Sequence, residues 1–142
     1  MADFEGTVTV RCTPAVVFAL YADAAGWAAW DPDIRGATRE GPFVSGAVGT
    51  ITPKQGPTMT IRLTSVVPDR SFDAEARLPG CTMRFEHWLE PQGDSTRVTH
   101  RVVFTGPLAF VFRALIGPGL RRGIPGTMAG LKAAAEARAA AH

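Results

Sequence analysis

Residues 58–105 read TMTIRLTSVVPDRSFDAEARLPGCTMRFEHWLEPQGDSTRVTHRVVFT. Met59, Ile61 and Leu63 alternate with Thr60, Arg62 and Thr64, and Phe72, Ala74, Ala76 and Leu78 alternate with Ser71, Asp73, Glu75 and Arg77. A period of two puts every apolar side chain on one face of an extended chain and every polar one on the other. Pro68-Asp69, Pro79-Gly80 and Gly93-Asp94 interrupt the alternation at strand-length intervals, as hairpin turns do. The stretch is therefore an antiparallel meander with one buried face, and no βαβ spacing occurs in it.

Outward from this stretch the same punctuation continues. Gly41-Pro42, Gly46 and Gly56-Pro57 bound two further segments, so strands are predicted at 34–41, 47–54, 58–67, 70–78, 81–90 and 95–105. Phe4 to Cys12 alternates as well and forms the first strand. Thr13-Pro14 then reads as an N-cap followed by proline at the first helical position, opening a short helix over 14–22. Residues 25–32 hold Trp27 and Trp30 three apart on one or two helical turns that Pro32 ends.

Downstream, Leu108, Phe112, Leu115, Ile116, Leu120, Ile124, Met128, Leu131 and Ala135 recur at helical spacing. Gly117-Pro118-Gly119 and Gly123-Ile124-Pro125-Gly126 predict a break or strong kink near 117–119, with Pro125 opening the last helical run. A bend that fits a curved sheet is preferred to a flexible lid. The fold class is α+β: seven antiparallel strands curved around one long C-terminal helix, with two short helices after strand 1. One helix is narrower than several strands side by side, which predicts a cavity between them.

The 142 residues fit one domain, 1–142, large enough to bury a core without metals or disulfides. A net charge of +2 argues against a nucleic-acid partner. Cys12 and Cys81 suggest no disulfide framework, and no Cys/His spacing fits structural zinc. The first residues lack the pattern of a secretory signal and no apolar run is long enough to span a bilayer, so a cytoplasmic location is expected.

Pro14-x-x-Val17-Phe18, leading through Asp23 to Trp27-x-x-Trp30-Asp31-Pro32-Asp33, resembles the START-like superfamily, and within it the polyketide cyclase/dehydrase and lipid-transport (SRPBCC) family. Trp88-Leu89-Glu90-Pro91 before a Gly-Asp turn, Thr96-Arg97-Val98-Thr99 after it, and Gly106-Pro107-Leu108 at the entry to the last helix extend the resemblance over nearly the whole chain. It implies the helix-grip fold. It does not fix function, because carriers, cyclases and proteins of other roles share that fold. The glycine- and proline-rich stretch 117–126 departs from the smooth helix of the family, and the chain is shorter than double-domain aromatase/cyclases.

On the apolar side of the hairpin 81–105, His87 and His100 face the expected cavity, with His87 opposite either Val98 or His100 according to the loop length. Imidazoles buried there would be held neutral and could act as acid or base in a cyclase or dehydratase; a packing role is preferred. Glu86 and Glu90 point the other way, so no metal is expected, and no cofactor either. His142 is terminal and set aside. Tyr21 and Asp23 lie near the same end, where the Tyr21 hydroxyl could meet a ligand carbonyl.

The first expectation is a carrier or sensor that binds a small hydrophobic, aromatic or lipid-like molecule. The expected contacts are Trp27, Trp30, Met59, Ile61, Leu63, Phe72, Met83, Phe85, Phe104, Met128 and Leu131. The second is a polyketide cyclase or dehydratase using His87 and His100, and the third an interaction protein whose cavity is filled by its own side chains. Either a monomer or a homodimer fits. Phe110 to Arg122 combines apolar bulk with Arg113, Arg121 and Arg122, which allows membrane contact, although a solvated outer helix face is preferred.

Overall fold

The computed structural model describes residues 3–141. His142 lies outside them. Strand β1 (Phe4–Val10) is followed by α1 (Pro14–Ala22), a 3-10 turn (Ala24–Gly26) and α2 (Trp27–Trp30). Strands β2 (Ile34–Arg39), β3 (Val48–Pro53), β4 (Met59–Val67), β5 (Ser71–Leu78), β6 (Cys81–Gln92) and β7 (Ser95–Thr105) follow, and α3 (Ala109–Ala140) closes the chain. The seven strands form one antiparallel sheet in the order β1-β7-β6-β5-β4-β3-β2, so the first and last strands pair and both edges come from the N-terminal third. The meander and the α+β class are as the alternation required.

The sheet bends where its register slips. Between Leu63 and Ser65 the pairing of β4 with β5 shifts by one residue, which lets Val66 oppose Phe72 after Leu63 has opposed Ala74. A second slip lies between Ile34 and Gly36. Extra residues of this kind increase local twist and curl the sheet toward its apolar face. On that face Ile61, Leu63, Phe72, Ala74, Met83, Val98, Val102 and Phe104 are buried together with Met128, Leu131 and Ala135 of α3. The outer face is wet, with Arg84 between Asp73 (3.5 Å) and Glu86 (3.0 Å) and Arg101 on Glu5 (2.5 Å). Trp88 lies on this outer side under the Arg101 guanidinium.

Thr13 is extended and its carbonyl accepts from the Val16 amide, so Pro14 opens α1 as expected; the Thr13 hydroxyl makes no capping bond.

The expected break in the last helix is absent. Helix α3 runs without interruption through Pro118 and Pro125, so there is no separate final run opened by Pro125. Gly123, Gly126 and Gly130 answer to packing instead. A Cβ on Gly130 would collide with the Trp30 carbonyl oxygen, one on Gly123 would collide with the Asp33 carboxylate, and one on Gly126 would be 3.3 Å from the Pro32 ring. Positions 123, 126 and 130 share one helix face, and into it the segment Trp30–Asp33 is pressed. Asp31, buried there, accepts from the Thr127 hydroxyl at 2.8 Å and from the Asp33 amide at 3.0 Å, which ties the start of β2 to the middle of α3. Burial raises its carboxyl above the ordinary aspartate range, and those two donors offset part of the rise.

Candidate functional site

β6 and β7 meet through a two-residue loop, Gly93-Asp94, with Gly93 at φ 63°, a backbone that glycine adopts without steric cost. That loop length settles the register: His87 pairs directly with His100. Both rings project from the concave face, their centroids 4.3 Å apart and edge to face. Tyr21, delivered by the last turn of α1, closes over them, its hydroxyl bonded to His100 Nε2 and its ring 5.3 Å from that of His87. Phe72 stacks flat on His87 at 3.8 Å.

The hydrogen bonds fix the proton positions. His87 Nδ1 lies 3.0 Å from the Phe72 carbonyl oxygen, which can only accept, so Nδ1 carries the hydrogen of a neutral ring. His87 Nε2 is then a lone pair, and no protein group donates to it among the described residues. The Tyr21 phenol is a stronger acid than a neutral imidazole and donates to His100. Burial lowers His87 to about 4, with the Phe72 carbonyl opposing part of that shift. It takes His100 well below the histidine range, and the neighbouring His87 pushes the same way. Burial also raises Tyr21 well above 10, the more so for the nearby Asp31 carboxylate. The result is a neutral, hydrogen-bonded cluster of two imidazoles and a phenol.

The indoles differ. Trp27 is buried against Phe72 and donates Nε1–H to the Tyr21 carbonyl at 3.0 Å, so its polar atom is spent inside the fold. Trp30 packs on the Tyr21 ring, and its enclosed Nε1 has no hydrogen-bond partner among the described residues. Cys12 and Cys81 are buried and burial pushes both thiols up, away from thiolate chemistry. No group of three His, Cys, Asp or Glu among the described residues could hold a metal ion.

Most of the expected contact residues lie in the apolar core. Ile61, Leu63, Phe72, Met83, Phe104 and Leu131 belong to one buried apolar cluster, in which α3 approaches β7 and β6 while Phe72 is covered by Tyr21, Trp27 and Phe43. Near Trp27, Ile61 and Leu63 the residual void is about 10 Å³, closed by Phe43 and Ala47. Met59, Phe85 and Trp30 are half-buried, Phe85 in mid-sheet between Ala74 and Val102. A half-open groove of about 560 Å³ runs instead between β1 and α3, floored by Phe4, Val8, Ile124 and Met128 and rimmed by Asp3, Glu5, Arg121 and Lys132. Of the expected contact residues Met128 alone lines it. Periodicity shows which residues are apolar, and the depth to which α3 sinks depends on small residues. Gly6 is the signal that could have found the groove: a Cβ there would collide with Ile124 Cγ2, so glycine lets the helix settle close to β1.

A curved antiparallel sheet closed over one long helix, with two short helices after the first strand, defines the helix-grip class. The chain belongs to the family described as polyketide cyclase / dehydrase and lipid transport, whose model matches residues 1–136. Among solved structures it is similar to the Zhui aromatase/cyclase of Streptomyces sp. R1128, at 19% identity over 95% of this chain and 93% of that one, with a TM-score of 0.74. It is similar as well to the protein TTHA0849 of Thermus thermophilus, at 13% identity over 94% and 97% of the two chains and a TM-score of 0.74. The di-domain aromatase/cyclase StfQ of the steffimycin biosynthetic pathway gives 14% identity and a TM-score of 0.77 over 96% of this chain, which spans 51% of that protein. No curated protein matches the sequence. At these identities the likeness is one of fold. Among the described residues no helix is long and apolar enough to cross a membrane.

Proposed function

We propose that this chain binds a small hydrophobic or aromatic molecule, lipid- or polyketide-like, between β1 and α3. The observation that carries this is the groove of about 560 Å³, which falls within the roughly 300–1,000 Å³ of small-molecule sites. Its floor of phenylalanine, valine, isoleucine and methionine is apolar, and its charged rim would orient a polar group on the guest. Membership of a family described by lipid transport supports the same reading. The test is native mass spectrometry of the purified chain together with titration of an anilinonaphthalene sulfonate dye. Ala129→Trp, on the exposed wall of the groove, is expected to abolish dye uptake while the circular dichroism spectrum stays unchanged. Dye uptake equal to that of the parent, or a purified chain that carries nothing and takes up nothing, overturns the reading. The second outcome favours a purely structural or protein-binding role.

The unprotonated Nε2 of His87 favours a second reading, an enzyme of cyclase or dehydratase type in which that atom takes a proton from the guest. The Tyr21–His100 pair would hold the neighbouring polarity fixed. Under this reading His87→Gln abolishes turnover of a polyketone substrate while dye affinity stays within a few-fold.

A further inference from the structure

Helix α3 begins with a face that no described residue covers. Phe110 keeps 66% and Leu115 73% of their surfaces exposed, values unusual for side chains of this size, and Leu108 and Val111 are exposed beside them. At about 100° per residue, Phe110, Arg121, Val111, Arg122 and Leu115 fall within one sector roughly 140° wide, and all five are exposed. The sequence from Gly106 to Ala135 contains no Asp or Glu, whereas it contains Arg113, Arg121, Arg122 and Lys132. Arg113 is paired with Asp3 at 3.1 Å and Lys132 with Glu136 at 2.5 Å. Among the described residues Arg121 and Arg122 meet no carboxylate, so their charge is uncompensated on the exposed face.

We infer that this face docks on an anionic lipid bilayer. Exposed aromatic and aliphatic side chains interleaved with unpaired guanidinium groups match the boundary of such a bilayer, where acyl chains meet negative headgroups. A second copy of the chain fits poorly. A two-fold contact through an acid-free face would bring four arginines together with no anion between them. The geometry also gives docking a use: Arg121 lies both on this face and on the rim of the β1–α3 groove, so a protein lying on the membrane through Phe110 and Leu115 holds the groove mouth beside the lipid.

The experiment is co-sedimentation of the full chain with phosphatidylcholine vesicles prepared with and without phosphatidylserine. Binding is expected to the phosphatidylserine vesicles and to fall as salt rises. Phe110→Ser/Leu115→Ser and Arg122→Glu are each expected to weaken it, the charge reversal by about tenfold or more. Neither variant touches the groove, so dye uptake should persist in both; a parent chain that takes up dye but does not bind the phosphatidylserine vesicles rejects the docking face and leaves the ligand reading standing. Equal partitioning onto both vesicle types, no partitioning, or variants that partition like the parent overturns the inference. So does light scattering that shows a stable dimer which Phe110→Ser/Leu115→Ser dissociates.

Discussion

His87 and His100 are held neutral by the fold, and that has a measurable cost in acid. An unfolded histidine titrates near 6.5, while burial keeps His87 at about 4 and His100 lower than its usual range. Between those values the unfolded chain binds more protons than the folded one, so stability is full above about pH 6.5 and is lost as pH falls toward 4. His87 alone accounts for a loss on the order of 3 kcal/mol across that window. Urea midpoints measured from pH 7.5 to 4.5 are expected to fall steeply, and the His87→Gln/His100→Gln variant should show a flatter profile even if its midpoint at neutral pH is lower. A variant as acid-sensitive as the parent would place the titrating groups elsewhere. Alternation along β6 and β7 was enough to set both rings on the concave face, because in a strand the direction of a side chain follows from its parity. The Tyr21–His100 bond was not legible, since it joins residues 79 apart whose meeting depends on how α1 folds back over the sheet.

At the scale of the element, the glycines of α3 show where reading by propensity stops. Glycine and proline weaken an isolated helix, and a run of them predicts a break. In the folded chain Gly123, Gly126 and Gly130 form the seat of the Trp30–Asp33 segment, and the Asp31–Thr127 bond holds it there. A sequence shows the missing side chains but not the backbone that takes their place. Strand limits, by contrast, were legible to within a residue or two at most ends, because turn residues and parity act locally. Two substitutions separate the two roles of glycine. Gly119 has nothing within 4 Å of a built Cβ, so Gly119→Ala should stabilise by up to about 1 kcal/mol through helix propensity alone. Gly130→Ala gains the same propensity but drives a methyl into the Trp30 carbonyl, and a net loss of about 2 kcal/mol or more is expected. Thermal denaturation of the two variants in parallel checks the opposite signs; a stabilising Gly130→Ala would mean that the segment can lift from the helix at little cost.

For the whole molecule, the question is whether a guest enters a space already present or makes one. Between sheet and helix Met83, Phe104 and Leu131 are buried, and a ligand that entered there by lifting α3 would break the Asp31–Thr127 bond and uncover the Gly130 seat. The β1–α3 groove needs no such movement. Densely packed interiors resist small displacements, so the less disruptive route is the open one. The two routes leave different traces in amide hydrogen exchange. A guest in the groove should slow exchange in β1 and in residues 121–132, where the strand edge and helix become shielded, and leave the Trp30–Asp33 segment unchanged. A guest in the interior should speed exchange in Trp30–Asp33, because that segment loses its seat when the helix rises. Exchange with and without a bound apolar dye distinguishes the routes, and faster exchange at Asp31–Asp33 on binding would move the site from the β1 edge to the His87–His100 face.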